Sequence, residues 1–220
     1  DDIDYSGQGG IATLFDVDQV EVYRGPQGSR TGANALAGLI YIKTKEPTDE
    51  FEGTSELTIG DYGTQNIGFA FGGPMKNKKL KYRLVVRSDY ADGFRKNIYL
   101  NKSDTSKKDE LTLRYKLNWE LNKNTNIDFL ISKVEMNDPA DIWTIDGSLN
   151  TLSDRPGMDS QNTDSFKVKI SKNFNNFELQ SITSTTKTDV VFSYDADWGN
   201  YESHFPFTYD YFSETLRKRD

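Results

Sequence analysis

Cysteine is absent from the 220 residues, so no disulfide framework and no thiolate metal or redox site can form. Histidine occurs once, at His204, which excludes a multi-histidine metal site and a histidine-based catalytic triad within the chain. His204 itself reads as a solvated loop residue beside Phe205 and Pro206. No stretch approaches the roughly twenty consecutive apolar residues of a membrane-crossing helix, and the mean hydropathy is −0.72. That excludes a helical span but not a barrel, whose strands are apolar only at every second residue. Cationic excess is missing too: 27 Lys+Arg face 34 Asp+Glu, a net charge of −7. With no basic stripe, nucleic acid is not an expected partner.

What is plentiful is aromatic residues, with 12 Tyr, 13 Phe and 3 Trp, set in runs of alternating polarity after residue 50. Ile67, Phe69 and Phe71 share one parity; so do Leu80, Tyr82, Leu84 and Val86. From Leu111 to Leu121, Leu113, Tyr115, Leu117 and Trp119 alternate with Thr112, Arg114, Lys116, Asn118 and Glu120. Such a period-two run has the length of a tilted transmembrane strand. Ile127, Phe129 and Ile131 continue the series, as do Phe166, Val168 and Ile170. The pattern gives about seven strands, the last a Ser/Thr-rich run from Phe177 to Tyr194, with an eighth beginning near Tyr211. Between them, short links (73–79, 122–125, 175–176) alternate with long ones (92–108, 137–163, 195–210). A barrel with short turns at one end and long loops at the other predicts that asymmetry; a soluble sandwich does not require it.

Before this series, the stretch from Phe15 to Pro47 reads as strand, glycine-rich link, strand. Val17, Val20, Val22 and Tyr23 favour a pleated backbone, and Arg24-Gly25-Pro26 ends that strand, since proline cannot donate to a ladder. Ala33 to Ala37 has room for about one helical turn, and Leu39 to Ile42 forms a second apolar run. A phosphate-binding loop is excluded: there is no GK[ST] and no long following helix. The spacing of Asp16, Val20-Glu21-Val22, Arg24-Gly25-Pro26-Gln27-Gly28, Gly32, Asn34-Ala35, Gly38, Ile40, Ile42, Thr44-Lys45 and Pro47 resembles the late plug segment of TonB-dependent outer-membrane receptors, which leads directly into their barrel. Arg30-Thr31 and Ala37 depart from the family pattern, where Leu-Tyr and glycine are common.

The resemblance implies a mostly β fold: residues 1–50 as the C-terminal part of a plug domain, and 51–220 as about seven antiparallel strands of an incomplete transmembrane barrel. Family barrels have about twenty-two strands. Together with a start at Asp1 inside the motif region, this leads to the expectation of a fragment. It implies a receptor in the outer membrane of a Gram-negative bacterium that imports a scarce nutrient chelate, an iron–siderophore by default, on energy from the inner-membrane TonB complex. Outer-membrane lipid would be a further partner. No catalysis, resident cofactor or metal is expected; the alternative is a β-rich surface adhesin without transport. Anchoring of the plug would fall to Arg24, Gly25, Pro26, Gly28, Gly32 and Gly38, with Arg24 held by wall glutamates downstream of residue 220.

Ligand-binding candidates are Trp143, Arg155, Trp198 and Tyr201 in the two longest loops, where rings and guanidinium suit a ligand with rings or negative charge. Self-packing of the loops, or an interfacial aromatic girdle, is the competing reading. Tyr5 and Gln8 join them through the resemblance, as plug-loop residues. Asp195 to Asn200 has a hard-ligand spacing without the closing glutamate of a calcium loop, so a turn rich in Asp and Gly is the better reading. Lys76, Lys78, Lys79 and Lys81 form a basic cluster at a short turn, either solvated or touching anionic headgroups.

Overall fold

The computed structural model describes residues 1–5, 13–28, 36–76, 78–206 and 210–219. Two strands, β1 (Val17–Arg24) and β2 (Gly38–Thr44), pair antiparallel as a sheet of their own, here termed the inner pair. Of the expected helical turn between them, residues 33–35 lie outside the described residues, and Leu36-Ala37 form a bend.

The rest is built on β3 (Glu52–Ile59), β4 (Gln65–Pro74), β5 (Leu80–Ala91), β6 (Lys96–Asn97), β7 (Lys108–Asn122), β8 (Thr125–Pro139), β9 (Asn150–Thr151), β10 (Met158–Asn173), β11 (Glu178–Asp195) and β12 (Phe212–Arg219), with one short helix, α1 (Tyr201–His204). Eight of these form one antiparallel sheet in the order β12-β11-β10-β8-β7-β5-β4-β3. It is an up-and-down meander, open at both edges. The eighth strand expected near Tyr211 is β12.

The sheet is inside-out by the standards of a soluble protein. Along β7, Glu110, Thr112, Arg114 and Lys116 are buried, whereas Leu121 on the opposite parity is exposed and Leu111, Leu113, Tyr115 and Leu117 are half-exposed. Among the described residues, buried apolar side chains are confined to Ala70, Val85, Leu130, Val134 and Ala140, while Arg83, Thr163, Ser165 and Lys167 are buried polar ones. The register aligns Gly72, Arg83, Lys116, Leu130 and Lys167 as one row across β4 to β10 on the polar face. Phe71, Leu84, Tyr115, Ile131 and Phe166 make the adjoining row on the other face. A sandwich would bury the second row against another layer. A membrane barrel gives it to lipid.

Links at one end are short (75–79, 123–124, 174–177) and at the other long (92–107, 140–157, 196–211), apart from the tight link 60–64. The expected long loop 137–163 needs correction. β8 runs on to Pro139 and β10 starts at Met158, with Asp138 pairing Asp159 and Met136 pairing Gln161. Beyond the lipid band both faces of a strand are wet. The apolar alternation therefore stops there while the backbone ladder continues.

Candidate functional site

The inner pair lies against the polar face of the sheet, and charged groups make the seam. Arg83 on β5 is 2% exposed. Its Nε and Nη2 donate to the two oxygens of Asp16, at 2.7 and 2.5 Å, and Nη1 donates to Glu52 at 2.7 Å. The Asp16 side chain is 1% exposed, the Glu52 side chain 49%. This is a two-pronged guanidinium–carboxylate pair, the geometry that makes arginine suit a desolvated carboxylate. Asp16 sits at φ 60, a left-handed conformation that aspartate tolerates better than branched residues, and this turn opens β1.

Neighbouring strands add further contacts. Arg114 Nη2 donates to the Phe15 carbonyl at 3.0 Å. Lys116 Nζ reaches the Thr44 carbonyl at 3.0 Å, Glu46 at 2.8 Å and Asp1 at 3.3 Å. Lys167 on β10 pairs with Asp2 at 3.4 Å. Burial works against charge on Asp2, yet the Lys167 ammonium and the Tyr41 hydroxyl hold its carboxyl below the usual range. Burial, reinforced by Asp2, pushes the Tyr41 phenol up to about 12. Tyr5 donates to Ser165 on β10 at 3.2 Å, and its burial raises the phenol. Glycine makes room for the seam: a Cβ on Gly68 would stand 2.9 Å from the Phe15 ring.

The pairing of wall cations with carboxylates flanking the inner pair is not given by the sequence spacing. The signal was available: Arg83, Arg114, Lys116 and Lys167 occupy the polar parity of alternating strands. Among the anchoring candidates, Arg24 is exposed at the end of β1, and Pro26 and Gly28 are exposed after it. Gly25 takes φ +81, and its N–H bonds the Ala37 carbonyl at 3.1 Å. Gly38 closes against Tyr23, whose carbonyl a Cβ would meet at 2.6 Å. Gln8 and Gly32 lie outside the described residues.

The long loops interlock through buried polar side chains. Asn97 donates to Asp141 at 2.9 Å and to the Ser153 carbonyl at 2.8 Å, and Thr151 donates to Asp141 at 2.7 Å. Ser153 donates to Asp195 at 2.6 Å and Asn200 to the Leu152 carbonyl at 2.7 Å. β6 and β9 add a two-residue parallel bridge between the first two loops. Loops 92–107, 140–157 and 196–211 are thus one folded unit.

Of the ligand candidates, Trp143 packs its ring on Tyr194 at 5.1 Å. Arg155 lies over the Phe212 ring at 4.3 Å and 3.6 Å from Asp210. Both serve loop packing. Trp198 and Tyr201 stand 41% and 57% exposed on the third loop, and Tyr5 lies inside, bonded to Ser165 of the wall. The structure joins Arg155, Trp198 and Tyr201 on two interlocked loops.

The carboxylates of the 195–200 stretch are engaged by backbone N–H groups and by Ser153 and His204. Asp197 accepts from the Gly199 and Tyr211 N–H groups at 2.9 Å each, and Asp195 from the Asp197 N–H at 3.2 Å. Although burial opposes it, those N–H groups hold the Asp197 carboxyl below its ordinary range. This is an aspartate-rich turn. His204 is not the solvated residue expected: it is half-buried on α1, with Nε2 3.2 Å from the Asp197 carbonyl and 3.4 Å from its carboxylate. The turn folds back over it.

An open sheet with a polar, partly cationic inner face and an apolar outer face, clasping a strand pair through the carboxylates that flank it, has the form of the wall and interior of an incomplete transmembrane barrel. No family model matches the chain. Among curated proteins it is 25% identical over 158 residues to the vitamin B12 transporter BtuB of Vibrio vulnificus, across 66% of this chain and 26% of that protein. To the ferric enterobactin receptor PirA of Pseudomonas aeruginosa it is 30% identical over 83 residues, 35% of this chain and 11% of that one. Among solved structures, the ferric yersiniabactin uptake receptor FyuA of Yersinia pestis superposes with a TM-score of 0.72 at 21% identity, over 81% of this chain and 29% of that one. The ferripyoverdine receptor of the Pseudomonas aeruginosa outer membrane gives 0.65 at 20% identity, over 90% and 28%. The chain is similar to these outer-membrane receptors and transporters in sequence and in fold, and it spans less than a third of their length.

Proposed function

We propose that this chain forms the plug–barrel junction of an outer-membrane receptor that binds a scarce nutrient chelate, above all an iron–siderophore complex, and imports it on TonB-coupled energy. Residues 1–50 are the C-terminal part of the plug and 51–220 the N-terminal part of the barrel. The observation that carries this reading is the seam: Arg83, Arg114, Lys116 and Lys167 grip the inner pair and its flanks from the wall face. A surface adhesin has no use for a barrel lumen filled by its own chain. The named relatives support the chelate reading, since a ferric enterobactin receptor and a ferric yersiniabactin uptake receptor are among them.

In this reading the exposed Trp198 and Tyr201 meet the arriving chelate, and Trp143 and Arg155 hold the loops that carry them. Arg24, Gly25, Pro26, Gly28, Gly32 and Gly38 seat the plug. The iron is cargo and no resident cofactor is required. The relatives are receptors and transporters, and the chemistry here is binding and passage, without bond-making. The partner is the inner-membrane TonB complex, engaged through a segment other than the one described.

The test is uptake of radio-iron from a panel of siderophores by cells expressing the full-length receptor, with cobalamin as a further arm and a tonB deletion as control. TonB-dependent uptake of one chelate is expected. Surface binding without TonB-dependent uptake of any of them would favour the adhesin reading.

A further inference from the structure

The short-turn end carries a feature that neither ligand binding nor the seam uses. In the sheet the turns 75–79, 123–124 and 174–177 follow one another along the rim. They are tied together where the Asn173 N–H bonds the Asn124 carbonyl at 2.8 Å and the Glu120 N–H bonds the Lys79 carbonyl at 2.7 Å. These turns contain Lys76, Lys78, Lys79 and Lys123 and no acidic residue, in a chain of net charge −7. The long loops hold eight carboxylates, Asp92, Asp104, Asp141, Asp146, Asp154, Asp197, Glu202 and Asp210, against five cations, Arg95, Lys96, Lys102, Lys107 and Arg155. The short turns are therefore cationic, flanked by Glu120 and Glu178, and the long loops are net acidic.

At the tip of the β10–β11 hairpin, the lipid-facing series Phe166, Val168 and Ile170 continues at the same parity to Lys172 and Phe174. The Phe174 N–H closes the turn on the Phe177 carbonyl at 2.8 Å, and the two rings stack at 4.6 Å. Lys172 Nζ sits 4.9 Å over the Phe174 ring. Phe174 and Phe177 are 42% and 61% exposed. An open recess of about 410 Å³ is lined by Lys172, Phe174, Phe177 and the amides Asn124, Asn173 and Asn175. A turn built only for water would not stack two phenylalanines at its tip. Barrels carry girdles of aromatic residues at both interfaces, level with the lipid headgroups, a lysine can extend its head to a phosphate from such a place, and the asparagine amides supply uncharged donors.

We infer that this recess, built on the membrane-barrel reading above, binds the phosphodiester headgroup of an anionic glycerophospholipid in the periplasmic leaflet. The phosphate meets Lys172 and the asparagine amides, and the glycerol and upper acyl carbons lie on Phe174 and Phe177. The neighbouring Lys123 supplies the preference for an anionic over a zwitterionic headgroup, through its field at the membrane surface.

The test uses the full-length receptor purified in mild detergent and offered equal amounts of phosphatidylglycerol, phosphatidylethanolamine and lipid A, with retained lipid read by native mass spectrometry. Wild type should retain phosphatidylglycerol in preference. Lys172→Gln should lower that retention by about fivefold, the equivalent of about one surface lysine. Phe177→Ala should lower it as well, while Lys102→Gln in an external loop should leave it unchanged. Heat-modifiable gel migration establishes that each variant is a folded barrel, and its absence in wild type would refute the barrel reading separately. Unchanged retention in folded Lys172→Gln, equal retention of phosphatidylethanolamine, preference for lipid A, or displacement by inorganic phosphate would each overturn the inference.

Discussion

Removing the guanidinium of Arg83 should loosen the plug more than any other single change on the described wall. Arg83 serves two carboxylates in unequal surroundings: Asp16 is 1% exposed and Glu52 49%. Breaking a buried pair by deleting one partner costs about 3–5 kcal/mol, because the other charge stays behind without compensation. A half-exposed pair is worth about 0–1 kcal/mol. Arg83→Ala and Asp16→Asn should therefore each fall in the larger range, and Glu52→Gln in the smaller. Replacing both members by apolar residues, Arg83→Met with Asp16→Leu, should recover much of the loss, since no buried charge is left stranded. The assay is hydrogen exchange of the β1 amides in the purified full-length receptor, where each 1.4 kcal/mol is a tenfold faster opening. On cells, the same variants should admit large antibiotics that wild type excludes. Equal effects of Asp16→Asn and Glu52→Gln, or a double variant worse than either single one, would refute the claim that desolvation sets the strength of this clasp.

Other outcomes follow from the same contacts. Gly68→Ala should destabilise the seam by about 1–3 kcal/mol through overpacking against Phe15, with Phe15→Leu in the same molecule relieving it; thermal melting of both variants checks this. A cysteine at Leu149, which is 54% exposed, should react with an impermeant maleimide on whole cells, whereas one at Asn175 should react only after the outer membrane is breached. Asp197 has its folded pKa held below the ordinary carboxylate value. Its stabilising effect on loop 196–211 should therefore be fully present above that ordinary value and vanish as pH falls through the lowered one. Trp198 fluorescence and limited proteolysis should accordingly show the loop docked at pH ~5 and released only in stronger acid.

The strands were legible where lipid imposes a rule. β7 could be read from Leu111, Leu113, Tyr115, Leu117 and Trp119 because a strand with one face in hydrocarbon has no freedom at those positions. Above that band the rule lapses, and Asp138, Asp159 and Gln161 gave no sign of continuing a ladder. The seam was half legible. Asp16 stood in the motif and Arg83 on the polar parity of its strand, but pairing them needs the position of the inner pair against the wall. The loop unit was not legible at all: Asn97, Asp141, Ser153 and Asp195 are far apart in the chain, and each alone is an ordinary polar loop residue. The partial burial of His204 is illegible for the same reason, since its cover comes from the backbone fold of the Asp195–Asn200 turn.

The polarity of the seam has a consequence for permeation. On this part of the wall Arg83, Lys116 and Lys167 stand in one registered row, with Arg114 in the next, and the inner pair and its flanks neutralise them. Should the plug be drawn out of the lumen, Arg83 would keep Glu52 of β3, but Lys116 and Lys167 would be left facing water without their partners, as charged rings do in selective pores. A leak along these lysines would favour anions locally, so Lys116→Gln with Lys167→Gln in the plugless receptor should move its reversal potential in a planar bilayer away from that of chloride.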